Sequence, residues 1–183
     1  MPFDAPRPVL PRSLVLVGLS GTGKSTVAPL LADRFGVDVV DLDRRIERVA
    51  GRPVSWIFAE EGEDGFRRVE LDVLGDVLGE APSVVASGGG VVCTAEARSL
   101  LAAHALVVWL DAPDALLVER LDDPDEPRPL LGDDPANTLQ RLRREREAWY
   151  AELAGLRVPV ERLDPSQVAD AVVEGLRGIG VIS

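Results

Sequence analysis

Gly18-Leu19-Ser20-Gly21-Thr22-Gly23-Lys24-Ser25-Thr26 decides the fold of this 183-residue chain. The segment fits G-x-x-x-x-G-K-S/T. In that pattern a glycine-rich loop presents backbone N–H groups to phosphates, a lysine ammonium reaches the terminal phosphates and the final hydroxyl binds Mg²⁺. Lys24 is the only lysine present, and every other cationic side chain is arginine. A composition so tilted toward arginine would use it here if any positive charge served, so a compact ammonium is chemically specified. The candidate nucleotide-binding residues are therefore Gly21, Thr22, Gly23, Lys24, Ser25 and Thr26, with Ser25 a metal ligand. Upstream, Leu14-Val15-Leu16-Val17 is an apolar run suited to a buried parallel strand, and Ser25 to Phe35 reads as a helix. Strand, loop, helix is the setting a phosphate-binding loop requires. Pro29 falls in the second turn of that helix, where it costs stability or bends the axis.

Working outward, apolar runs recur at Val37–Val40, Val84–Ala86, Ala105–Leu110 and Leu156–Val160. Helical patterns lie between them, at Asp43–Val49, Val54–Glu60, Glu63–Leu78, Ala95–Ala102, Pro113–Leu121, Pro135–Glu152 and Ser166–Arg177. The alternation predicts an α/β fold: three α/β/α layers around a five-stranded parallel sheet with both faces covered. The length suits one domain, placed at residues 14–183, with residues 1–13 a proline-rich and flexible extension. Between Asp122 and Asp134, three prolines, Gly132 and six acidic residues surround Arg128. This reads as a mobile surface loop, either a plain connector or a lid that excludes water during phosphoryl transfer.

Charge and composition narrow the function. With 20 basic and 31 acidic residues the formal charge is −11, which argues against nucleic acid or an anionic membrane as partner. Any anionic substrate must be met by local arginines. Cys93 and His104 are each the only residue of their type, so an intrachain disulfide, a multi-cysteine metal site and a serine–histidine hydrolase are disfavoured. No stretch approaches the roughly 20 apolar residues of a membrane span, and the first residues lack a signal-peptide core. The expected location is the cytoplasm.

Several constellations can carry chemistry at the carboxyl edge of such a sheet, where ligands bind. Asp41-Leu42-Asp43 follows the second strand, and strand alternation would put both carboxylates on one side. One can serve the Mg²⁺ shell while the other orients or deprotonates an acceptor hydroxyl; alternatively, Asp43 merely caps the next helix. Val84-Val85-Ala86-Ser87 ends without a carboxylate, which leaves Asp41 as the metal candidate. Gly88-Gly89-Gly90 follows that third strand and can let bare backbone approach a substrate, or can be a flexible turn. Arg67 sits at the edge of a helix whose other face carries Phe66, Val69, Val73, Leu74 and Val77. Glu63 and Glu70 lie one turn away on either side, so Arg67 is either a surface ion pair or a fork held ready for an anion. Arg141, Arg143, Arg144 and Arg146 form the densest basic run, a solvated face from which one or two can reach the phosphates.

Taken in order, these segments resemble the shikimate kinases, small P-loop kinases of the nucleoside-monophosphate-kinase fold. The resemblance runs from Leu14 to Leu176. It rests on the phosphate loop, Asp41-x-Asp43, Ile57-Phe58-x-x-x-Gly62-Glu63-x-x-Phe66-Arg67-x-x-Glu70, the triglycine, Arg128-Pro129-Leu130-Leu131 and Arg146-x-x-x-Tyr150. It implies ATP and shikimate as substrates, Mg²⁺ as the metal, and phosphorylation of the 3-hydroxyl. It also implies Asp43 as the base contacting ring hydroxyls and Asp41 in the metal shell. Arg67, Gly89 and Arg146, with Gly88 and Gly90 beside them, would bind the carboxylate. Lys24 and Arg128 would stabilise the phosphoryl group in flight, with Arg128 on a mobile lid at about residues 122–134. Arg120 resembles the adenine-stacking arginine, one residue farther from Arg128 than is usual. The lid is acidic where the family's is basic, and Leu42 stands where a small residue is typical, adding bulk near the acceptor. The expected assembly is a monomer. The readings that compete are a same-fold kinase for another polyol acid or cyclitol, a non-catalytic nucleotide-binding module, and a motor-type or signalling NTPase.

Overall fold

In a computed structural model that describes residues 7–121 and 134–183, five strands form one sheet. They are β1 (Leu14–Val17), β2 (Val39–Asp41), β3 (Val84–Ala86), β4 (Leu106–Asp111) and β5 (Leu156–Pro159). All pairs are parallel, in the order β2-β3-β1-β4-β5. Leu14 is in register with Val84 on one side and Leu106 on the other, so β1 is central. All four β1 side chains are buried, as a strand covered on both faces requires, and this accounts for its unbroken apolar run.

The helices are α1 (Lys24–Phe35), α2 (Leu42–Ala50), α3 (Val54–Gly79), α4 (Ala95–His104), α5 (Asp114–Leu121), α6 (Pro135–Leu153) and α7 (Pro165–Gly178). Helix α1 packs with α7 against the sheet, while α4 packs between α3 and α6 in the opposing layer. The result is the three-layer parallel fold anticipated from the alternation. Pro29 is exposed within α1, and the helix runs on through it. The two helical stretches expected around Glu60 and Glu63 are one element interrupted at Gly62, whose φ of 70° and ψ of −174° are not helical.

Packing begins N-terminal to the boundary expected at Leu14. Leu10 joins the core, the Ser13 hydroxyl accepts from Ser83 N at 3.1 Å, and the Ser13 carbonyl accepts from Leu106 N at 2.9 Å. Residues 1–6 and the candidate lid with Arg128 lie outside the described residues. Among the described residues no helix is long and apolar enough to cross a membrane.

Candidate active site

The carboxyl edge of the sheet gathers the loop after β1, the aspartate that ends β2 and the glycines after β3. The loop is held from behind by Gly18, whose φ is 139° and where a Cβ would come 2.3 Å from the Leu110 carbonyl oxygen of β4. Only glycine allows that approach. Gly23 precedes α1 in a left-handed conformation and offers no side-chain cap, while its carbonyl accepts from Thr26 N at 3.1 Å and Val27 N at 2.9 Å as the helix begins. Lys24 is only 7% exposed. Its Nζ donates to the carbonyls of Gly18 at 2.7 Å and Leu19 at 2.9 Å, folding the ammonium back over the loop. Thr22 is buried and donates to the Leu19 carbonyl at 3.0 Å, whereas Ser25 and Thr26 are exposed at the start of α1. Arg120, in the last turn of α5, donates to the Gly21 carbonyl at 3.1 Å, which puts it at the rim of this loop.

Asp41 and Asp43 are brought together differently from the strand alternation expected. Asp41 is the last extended residue, and its carboxylate accepts from Arg44 N at 3.0 Å, so Asp41 caps α2 and Asp43 does not. Leu42 is already helical and wholly buried in the core, so its bulk is absorbed there instead of facing an acceptor. Asp43 lies in the first turn, open to solvent within a concave setting. Partial desolvation by the surrounding protein raises its pKa above 3.8, and Asp41 adds to the rise, while Lys24 and Arg67 oppose it. Asp41 and Ser25 line one cavity of about 320 Å³ with Ala28, Val40, Arg44 and Ala86.

Each glycine of the triglycine meets a different neighbour. A Cβ on Gly88 would lie 3.1 Å from Asp43 Oδ1; on Gly89 it would lie 3.3 Å from the Gly18 carbonyl oxygen and 3.5 Å from Ser20 N. On Gly90 it would collide with the Arg67 guanidinium, 2.2 Å from Nη2. The triglycine is therefore a close-packed junction of phosphate loop, acid and arginine.

Arg67 is held as its spacing predicts. It donates from Nη1 to Glu70 at 2.6 Å and from Nη2 to Glu63 at 3.1 Å, and its side chain and that of Glu70 are 12% and 3% exposed. Burial raises the Glu70 carboxyl despite the opposing pull of Arg67, the pattern of a carboxylate kept in place by its partner at a desolvation cost. Arg146 approaches from α6, near enough to pull down the thiol of half-buried Cys93 and the phenol of Tyr150, although burial pushes both up. The Nε atoms of Arg67 and Arg146 are both buried with no hydrogen-bond partner among the described residues. Two guanidiniums beside one backbone turn thus each keep a buried Nε donor without an acceptor among the described residues.

The remaining basic run divides. Arg143 bonds Asp114 at 2.6 Å, Asp111 at 3.1 Å and the Ala112 carbonyl, and so ties α6 to the end of β4. Arg141 pairs with Glu145 on the exposed face. Two residues of the site had no role in the sequence reading, Tyr150 entering only as part of the Arg146-x-x-x-Tyr150 motif and Arg98 not at all. Tyr150 donates its hydroxyl to the Gly89 carbonyl, and Arg98 braces the same turn through the Val92 carbonyl at 2.7 Å while stacking on Trp149. Tyr150 had one available signal, its place one helical turn after Arg146; Arg98 had none.

A sequence model of the family described as "Shikimate kinase" matches residues 20–177. A shikimate kinase of Synechococcus elongatus is 46% identical over 156 residues, spanning 85% of this chain and 80% of its own. One from Thermobifida fusca is 42% identical over 166 residues, 91% of this chain and 95% of its own. Among solved structures, the shikimate kinase from Acinetobacter baumannii in complex with shikimate superposes with a TM-score of 0.87 at 33% identity, covering 92% of this chain and 94% of that one.

Proposed function

The chain belongs to the shikimate kinase family, and on that premise we propose how its residues move the γ-phosphoryl group of ATP to the 3-hydroxyl of shikimate. ATP seats its phosphates on the N–H groups of Gly21 to Thr26. The Lys24 ammonium swings from the Gly18 and Leu19 carbonyls to the β- and γ-phosphates. Arg120 borders the nucleotide at the rim. The acceptor places its carboxylate against Arg67, Arg146 and the N–H groups of Gly88, Gly89 and Gly90, so its ring hydroxyls face Asp43. Asp43 takes the hydroxyl proton as the oxygen bonds to the γ-phosphorus, and the bond to the ADP oxygen breaks with Lys24 neutralising the leaving charge. Arg128, outside the described residues, is assigned the charge in flight on the sequence resemblance alone.

The oxygens present fit Mg²⁺. Ser25 and Asp41 line one cavity together with Arg44, Arg45 and Arg48, and Mg²⁺ takes one or two protein oxygens plus phosphates and waters, without a dedicated cage. Bound there, the ion would neutralise phosphate charge. The same proposal makes the chain a cytoplasmic monomer with neither nucleic acid nor membrane as partner, consistent with its charge of −11.

The observation that carries this reading is the convergence of Asp43, Arg67 and the triglycine beside the phosphate loop, with donors in excess. ADP release, measured with ATP plus shikimate, quinate or gluconate in turn, tests it. Release dependent on shikimate is expected. Activity on quinate or gluconate without shikimate would transfer the site to another polyol acid, and nucleotide binding with no release would make the chain a non-catalytic module.

A further inference from the structure

The turn that meets the acceptor has its backbone carbonyls tied down one by one. Gly88 O accepts from Val91 N at 3.2 Å and Gly90 O accepts from Cys93 N at 2.9 Å, bonds that come with the turn itself. Between them, Gly89 O accepts from the Tyr150 hydroxyl, a donor on α6 that lies 61 residues away in sequence. Tyr150 is 1% exposed, and its ring packs on Trp109 with centroids 5.8 Å apart. Burial raises its phenol, so the proton stays in place as a donor at any working pH. A planar trans peptide fixes the N–H of Gly90 opposite to the carbonyl of Gly89. Because the Gly89 carbonyl points to Tyr150, the Gly90 N–H points away from it, and the Arg67 guanidinium fills the space where a Gly90 Cβ would sit.

We propose that Tyr150 is a positioning residue for the acceptor carboxylate: by holding the Gly89–Gly90 peptide in one orientation it aligns the N–H groups of the turn with Arg67 and Arg146. Tyr150 and Arg146 are one turn apart on the same side of α6. One helix face thus delivers a guanidinium to the anion and a pin to the backbone opposite it. This inference rests on the functional reading above.

Tyr150→Phe keeps the ring on Trp109 and removes the hydroxyl, both its donation to Gly89 O and its contact with the Arg146 side chain. Losing one neutral hydrogen bond is expected to raise the shikimate KM about 3- to 10-fold, with the ATP KM unchanged and kcat within about twofold. An unchanged shikimate KM would overturn the role, as would parallel rises in both KM values with a lowered Tm, the signature of a merely structural contact. A second measurement needs no variant. In the wild type the buried Tyr150 hydroxyl proton should exchange slowly enough to be seen by NMR, and its resonance and the Gly90 amide should both shift on adding shikimate. Immobile resonances would also overturn the role. Failure of the wild type to turn over shikimate would instead overturn the functional reading, so the two failures are distinct.

Discussion

The phosphate loop is built from the consecutive residues Gly18 to Thr26, whereas the proposed acceptor clamp draws Asp43 from α2, Arg67 from α3, the glycines from the turn after β3 and Arg146 from α6. The loop satisfies its cation internally, with Lys24 Nζ resting on carbonyls of its own segment. The clamp satisfies Arg67 with two glutamates yet leaves donors over. The loop draws its shape from consecutive residues seated on β4 and α5, whereas a clamp assembled from distant elements depends on how each of them packs. The two touch at Gly89, whose missing side chain lets the clamp abut Gly18 and Ser20.

If that division holds, substitutions in the loop should reduce turnover and substitutions in the clamp should reduce acceptor affinity. The largest effect is expected from Lys24→Ala, which removes the cation proposed to face the transferred charge. Turnover should fall by about 10²- to 10³-fold or more. Tm should fall too, because the buried carbonyls of Gly18 and Leu19 lose their donor. Near-wild-type ADP release in a folded Lys24→Ala protein would break the comparison at its stronger side.

Asp43→Asn should lower kcat by about 10²-fold, the smaller end of general-base contributions. The same change should raise Tm at neutral pH. A carboxyl with its folded pKa raised above the ordinary 3.8 favours folding most when protonated, and that contribution is lost as pH rises through the folded value. At neutral pH the charged group therefore costs stability, which the amide relieves. A melt showing no gain would mean that Asp43 is not desolvated in solution.

Arg67→Ala should raise the shikimate KM by roughly 10- to 100-fold through loss of a charged hydrogen-bond donor, with little change in the ATP KM. Gly90→Ala sharpens the point, since its methyl would occupy the guanidinium's place; it should reproduce the Arg67→Ala effect with every charge retained. An ATP-confined effect in either variant would put the clamp elsewhere. The smallest effect is expected from Glu47→Gln. Its side-chain oxygen can still accept from Val54 N, but one charge that raises Asp43 disappears. The acidic limb of the kcat/KM profile should move slightly down in pH, and an upward movement would contradict the electrostatic account.

The contrast between loop and clamp also explains what could be read without coordinates. The phosphate loop, the apolar strands and the parallel order follow from local pattern, and the Glu63–Arg67–Glu70 arrangement follows from helical spacing alone. Asp41 and Asp43 were legible as a pair but not in geometry, because the helix starts at Leu42 and ends the strand alternation one residue early. The packed stretch before β1 was hidden because Leu10 and Ser13 are too short a segment to show a period. Tyr150, Arg98 and the tether of Arg143 to Asp111 depend on where α6 crosses the ends of β3 and β4, and no spacing within α6 encodes that crossing.

The molecule has a single side-chain amine, that of Lys24, and it is buried at the start of α1, folded onto the phosphate loop. Acylating reagents and lysine-specific endoproteases therefore find one internal target, shielded by the folded loop and shielded further by a nucleotide. Susceptibility of this one position is a direct gauge of occupancy that needs no introduced label.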